Sequence, residues 1–174
     1  MNGMWAVARR LVVCGVVLGL AGAGVSGAGA VSGPGLSGDG REVGVAPGEA
    51  DLAYHGAAVM ADGRMRVWFV ARNHGPEAVS DATVRLRWSV PLGVRQVLPE
   101  GCVRAGVRVV VCRTGELAAD GLGERVELAV GLRGVPAEVG LELDTVWGGG
   151  AVDRNRGNDR QRVLVLDTGD TYYF

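Results

Sequence analysis

The chain has 174 residues, with 18 basic against 19 acidic side chains and a formal net charge of −1 at pH 7. So close a balance excludes a general attraction to nucleic acid or to an anionic membrane surface. The length allows one domain that buries a real core, and every basic residue is an arginine, a bias we read as codon usage rather than chemistry.

Residues 1–30 read as an export signal. Arg9 and Arg10 form a positive n-region, Leu11 to Leu20 is an apolar run broken only by Gly15 and Gly19, and small residues follow. Cleavage is expected at Ala28-Gly29-Ala30, with Ala21-Gly22-Ala23 as the alternative site. The run is shorter than the about 20 residues that span a bilayer, so no membrane span is expected after cleavage. Cys14 follows Val12-Val13, without the small residue that precedes a lipidated cysteine. The Arg9-Arg10 pair leaves twin-arginine export open beside the general route.

Cleavage after Ala30 removes Arg9 and Arg10, leaving 16 arginines against 19 acidic residues, a formal charge of 16 − 19 = −3. It also removes Cys14 and leaves Cys102 and Cys112. An even count in an exported chain favours a disulfide, whose short loop would stabilise the fold by roughly 2–3 kcal/mol. A metal pair completed by His55 and His74 is the rival reading. Localisation is therefore expected to be secreted, outside the cell.

Residues 31–49 hold glycines and prolines without an apolar period and are expected as a flexible linker. From there the period is two. Asp62-Gly63 between two strand-like runs is a hairpin signal. Met65, Val67, Phe69 and Ala71 alternate with Arg64, Arg66, Trp68, Val70 and Arg72. Val84, Leu86, Trp88 and Val90 form a second such row, Val126, Leu128, Val130 and Leu132 a third, and Val139, Leu141, Leu143 and Thr145 a fourth. Each pattern is that of a strand with one face buried. Val107 to Arg113 and Arg162 to Asp167 are β-rich as well. No segment keeps a helical period, and about seven short strands predict an all-β, antiparallel sandwich over 50–167. Residues 168–174 are expected as an aromatic C-terminal tail beyond the last strand.

The order Asn73-His74-Gly75-Pro76, Pro91-Leu92-Gly93-Val94, the Cys102/Cys112 pair, Gly115 to Gly121 and Asp153-Arg154-Asn155 with Asn158-Asp159 resembles the bacterial repeat called domain of unknown function eleven. A related bacterial adhesion-type sandwich is similar. The resemblance implies an immunoglobulin-like β-sandwich at a bacterial surface and implies no activity. In the Asn73-Pro76 turn, Asn and Gly are expected to take left-handed backbone angles and Pro to fix φ.

Catalysis is not expected. His55 lies in a strand and His74 in a turn, no serine sits in a nucleophile elbow, and Glu142 and Asp144 share an outer strand face where solvated charges belong. Asp153, Asn155, Asn158 and Asp159 crowd oxygen ligands into one loop, so calcium is an option, although the EF-hand pattern fails because Gly157 and Leu164 occupy ligand positions. No other cofactor is expected. Trp68, on the arginine-bearing side of its strand with Arg66, is a candidate for gripping a sugar or anionic polymer, or for being capped by neighbouring guanidinium groups. Tyr172, Tyr173 and Phe174 either fold back over an apolar groove or dock on a partner. A membrane barrel is excluded by outer faces of arginine and glutamate. The predicted function is a secreted, non-catalytic immunoglobulin-like module with a structural or adhesive role toward an envelope or extracellular protein or polymer. The alternative is a calcium-stabilised carbohydrate- or wall-polymer-binding domain.

Overall fold

The computed structural model describes residues 47–174. The expected signal peptide and the expected linker up to residue 46 lie outside them. Among the described residues no helix is long and apolar enough to cross a membrane.

The strands are β1 (Glu49–Ala50), β2 (Leu52–Ala61), β3 (Arg64–Asn73), β4 (Thr83–Trp88), β5 (Cys102–Arg104), β6 (Val109–Arg113), β7 (Leu122–Gly131), β8 (Glu138–Trp147), β9 (Val152–Asp153), β10 (Arg160–Leu166) and β11 (Thr171–Tyr173). They form a five-stranded sheet, β10-β8-β4-β6-β5, and a four-stranded sheet, β11-β2-β3-β7, both antiparallel and packed as a sandwich. The seven longer strands answer to the four alternating runs, the two β-rich runs and the run before Asp62-Gly63. The other four are two or three residues long, too short to carry a period. Two of the expectations are corrected here, while a short third pair, β1–β9, runs in parallel apart from the two antiparallel sheets. The expected linker ends one residue early, because Glu49 already pairs in β1. The C-terminal tail is no tail, because Gly169, at φ 77°, turns the chain so that β11 joins β2.

Packing follows the alternation. Met65, Val67, Phe69 and Ala71 of β3, Val84, Leu86 and Trp88 of β4, and Val139, Leu141 and Leu143 of β8 are all buried between the sheets. Trp88 and Tyr54, carried inward, find partners for their polar atoms. The indole of Trp88 donates to Met65 Sδ at 3.1 Å, and Tyr54 meets Phe69 edge to face at 6.1 Å. The Tyr54 hydroxyl bonds that of Thr145 and so ties β2 to β8 across the core. Burial pushes the Tyr54 phenol up to about 12, against the hydrogen bond to Thr145.

Turns take the residues that their geometry demands. Asp62 (φ 53°) and Gly63 (φ 69°) close the β2–β3 hairpin with both central residues left-handed. The Asn73-His74-Gly75-Pro76 turn works differently from expectation, since neither Asn73 nor Gly75 has positive φ. Asn73 is fully buried as a polar keystone. Its Oδ1 accepts from Asp51 N and Gly75 N, and its Nδ2 donates to Glu77 O and Ala118 O. Gly75 is required by close approach, because a Cβ there would lie 2.5 Å from Ala50 Cα. The loop before β5 is shaped by Arg104, whose guanidinium donates to the carbonyls of Gly106 (2.9 Å), Gly93 (2.7 Å) and Val94 (2.8 Å). Cys102 and Cys112, directly opposite on β5 and β6, form a disulfide, 4.1 Å apart at Cα.

Candidate functional site

The outward residues of β3 lie on the exposed face of the four-stranded sheet. Cross-strand register sets Trp68 beside Ala57 on β2 and Glu127 on β7, and sets Ala57 beside Tyr173 on β11. With strands about 4.8 Å apart, Tyr173 and Trp68 flank Ala57 in a single row. Alanine keeps the middle of that row low. Tyr173 is 78% exposed, so the phenol ring stands in solvent, whereas Trp68 is half-buried.

The guanidinium over Trp68 belongs to Arg125 of β7, with Cζ 5.1 Å from the ring centroid. Arg125 also holds Glu127 at 3.0 Å. Among the described residues neither Arg64 nor Arg66 makes an ion pair, and both are exposed beside a hollow of about 300 Å³ floored by Val59 and Ala129. Arg72 turns away to Asp120 at 3.4 Å. The structure thus brings Trp68, Arg66 and Tyr173 to one face. It sends Tyr172 and Phe174 to the other, where both pack against the core. Phe174 lies over Gly56, and a Cβ on Gly56 would come within 2.9 Å of the ring. Sequence reasoning missed Arg125, because its place over Trp68 depends on the β3–β7 register, which shifts between Val70 and Arg72.

His55 is exposed at the start of the same face and His74 is exposed in its turn. Glu142 and Asp144 sit on the outer face of the other sheet, in ion pairs with Arg162 and Arg85. Hydrogen bonding by Asp144 holds the Arg85 guanidinium above its ordinary value.

The oxygen-rich loop places three of its four side chains, Asp153, Asn155 and Asn158, in a clasp onto Asp51 and Leu52 at the start of β2. Asp153 Oδ2 accepts from Leu52 N at 3.0 Å and its Oδ1 from Asn155 N at 2.8 Å. Asn158 Nδ2 donates to Asp51 Oδ1 at 2.7 Å. Asp159 is buried and its carboxylate receives no hydrogen bond among the described residues, but Arg156 Nε lies 3.1 Å from Oδ2 as a counter-charge. Burial raises the Asp159 carboxyl above the ordinary carboxylate range, and Arg156 opposes that shift. Among the described residues no group of three or more Asp, Glu, His or Cys side chains is placed to hold a metal ion.

No family model matches the chain, and no curated protein matches it. Among solved structures, beta-glucosidase 3B from Thermotoga neapolitana, in complex with alpha-D-glucose, is similar to 72% of this chain at 16% sequence identity and a TM-score of 0.43. The chain spans only 17% of that protein's length.

Proposed function

We propose that this chain is an exported, non-catalytic immunoglobulin-like module that acts by contact, in a structural or adhesive role, at or outside the cell envelope. The observation that carries the reading is the row Tyr173–Ala57–Trp68 with Arg125 over the indole. Rigid aromatic rings on a sheet face, rimmed by Arg64 and Arg66, which make no ion pair among the described residues, supply contact area at low entropy cost and accept anionic groups at the rim. The Cys102–Cys112 disulfide supports an oxidising, extracytoplasmic setting.

The same row also favours the polymer-binding half of a second reading, a carbohydrate- or wall-polymer-binding domain, because sugar faces stack on aromatic rings. Both readings meet one test. The chain, its Trp68→Ala/Tyr173→Ala variant and the chain in the presence of EDTA are incubated with envelope and culture-supernatant fractions. The expected outcome is retention that falls at least about tenfold in the double variant. Retention on glycan-only fractions selects the second reading, and its loss in EDTA assigns calcium a part. Equal retention of parent and variant abandons the aromatic row. Tyr173→Ala is preferable to deleting Tyr172 to Phe174, which would remove an edge strand as well as a contact.

A further inference from the structure

The five-stranded sheet presents an outer face with a different chemistry. Register aligns Arg160, Asp144 and Arg85 in one cross-strand row and Arg162, Glu142 and Arg87 in the next. Arg85 forks onto Asp144, with Nε to Oδ1 at 2.9 Å and a second bond from Nη2, and Arg162 pairs with Glu142. Arg87 and Arg160 are exposed and make no ion pair among the described residues. Arg156 closes the end of this hollow of about 550 Å³. Its lining has five guanidinium groups against two carboxylates, and with Arg156 already matched by Asp159 the surplus is 5 − 3 = 2 positive charges, in a chain whose net charge is −1. A concave wall of one sign concentrates counter-charge, and arginine forks match carboxylate geometry.

A second hollow of about 650 Å³ continues from the first through Arg87, Glu142 and Arg162. Here the lining includes Val107, which is 66% exposed, and Val109. Gly140 keeps the floor open, since a Cβ there would meet nothing nearer than Ser89 Cβ at 3.6 Å. One groove therefore joins an arginine-rich half to an aliphatic half. A ligand that fits both must carry anionic groups next to a branched apolar side chain. An acidic glycan satisfies the first half and offers nothing aliphatic to the second.

We propose that this groove binds an extended acidic peptide segment of a partner protein, with carboxylates on Arg87 and Arg160 and an aliphatic side chain over Gly140. The groove lies on the sheet opposite Trp68 and Tyr173, so this proposal and the reading above stand or fall separately.

The test uses the full chain and fluorescence anisotropy of a fluorescein-labelled peptide of mixed glutamate and leucine, with polyglutamate and alginate as competing probes. Arg87→Glu/Arg160→Glu is expected to weaken the mixed peptide at least about tenfold. Gly140→Leu, which fills the apolar half, is expected to weaken it severalfold and to leave polyglutamate unchanged. Trp68→Ala/Tyr173→Ala is expected to change neither. Arg87→Gln/Arg160→Gln repeats the experiment without charge reversal, and far-UV circular dichroism checks each fold. Binding that survives both the arginine and the glycine variants overturns the proposal. Polyglutamate that binds as tightly as the mixed peptide removes the apolar half, and alginate that binds more tightly than either makes the groove a glycan site. Each of these also overturns it.

Discussion

Two edge strands of equal length, β5 and β11, are held in opposite ways. Each has three residues, too few for its ladder to hold it alone. β5 buries little beyond Cys102: Val103 is 60% exposed and Arg104 is only half-buried. It is fixed by the covalent bond from Cys102 to Cys112. β11 has no covalent tie, but Tyr172 and Phe174 pack against the core and Phe174 exchanges two backbone hydrogen bonds with Gly56. Where local burial is scarce the chain uses chemistry that constrains the unfolded state, and where aromatic surface is at hand it uses the hydrophobic effect.

The sharpest way to break this comparison is to open the disulfide. Cys102→Ser/Cys112→Ser is expected to lower the unfolding free energy by about 2–3 kcal/mol, read from the urea midpoint. Hydrogen exchange should quicken at Val103 and Val111 and stay unchanged at Ala57. Phe174→Ala is the mirror experiment, with a smaller loss of about 1–2 kcal/mol because the ring is only half-buried. Its exchange should quicken at Gly56 and not at Val111. If either variant loosens both edges equally, the two devices are not local and the contrast fails.

Tyr54→Phe sharpens the comparison from the middle, since its hydroxyl joins the sheets rather than an edge. A loss of about 1 kcal/mol is expected at neutral pH. The larger signature is at alkaline pH. The folded phenol, at about 12, lies above its ordinary 10.0, so the native state holds this proton longer than the unfolded chain does. Parent stability is therefore full below about pH 10 and falls as pH rises toward 12. Thermal unfolding of Tyr54→Phe should lack that limb, and a limb that persists would put the titration elsewhere.

The inner layer of the sandwich was legible because alternation is local. Met65, Val67, Phe69 and Ala71 announce a buried face within one strand. The outer layers were legible only as lists of candidates, because neighbours there are chosen by register. Nothing near Trp68 in the sequence points to Arg125, and nothing near Tyr173 points to Ala57, more than 100 positions away. Thr171 to Tyr173 is too short to show a period, so its pairing had no signal. The pairing of Cys102 with Cys112 was readable from cysteine count and the expectation of export, which need no geometry. Gly75 was singled out correctly and explained incorrectly, since close approach to Ala50, a tertiary contact, leaves the same residue choice as a left-handed turn.

The loop held by Arg104 has a consequence for how this surface can vary. Its shape is carried by the carbonyls of Gly93 and Val94, groups that every residue type possesses, and by the planar donor fork of one guanidinium. Val94 and Val97 point into solvent, 81% and 93% exposed, and contribute little to that shape. New side chains can therefore be written at these two positions without redrawing the backbone beneath them, which makes the loop a ready place to graft or diversify a contact.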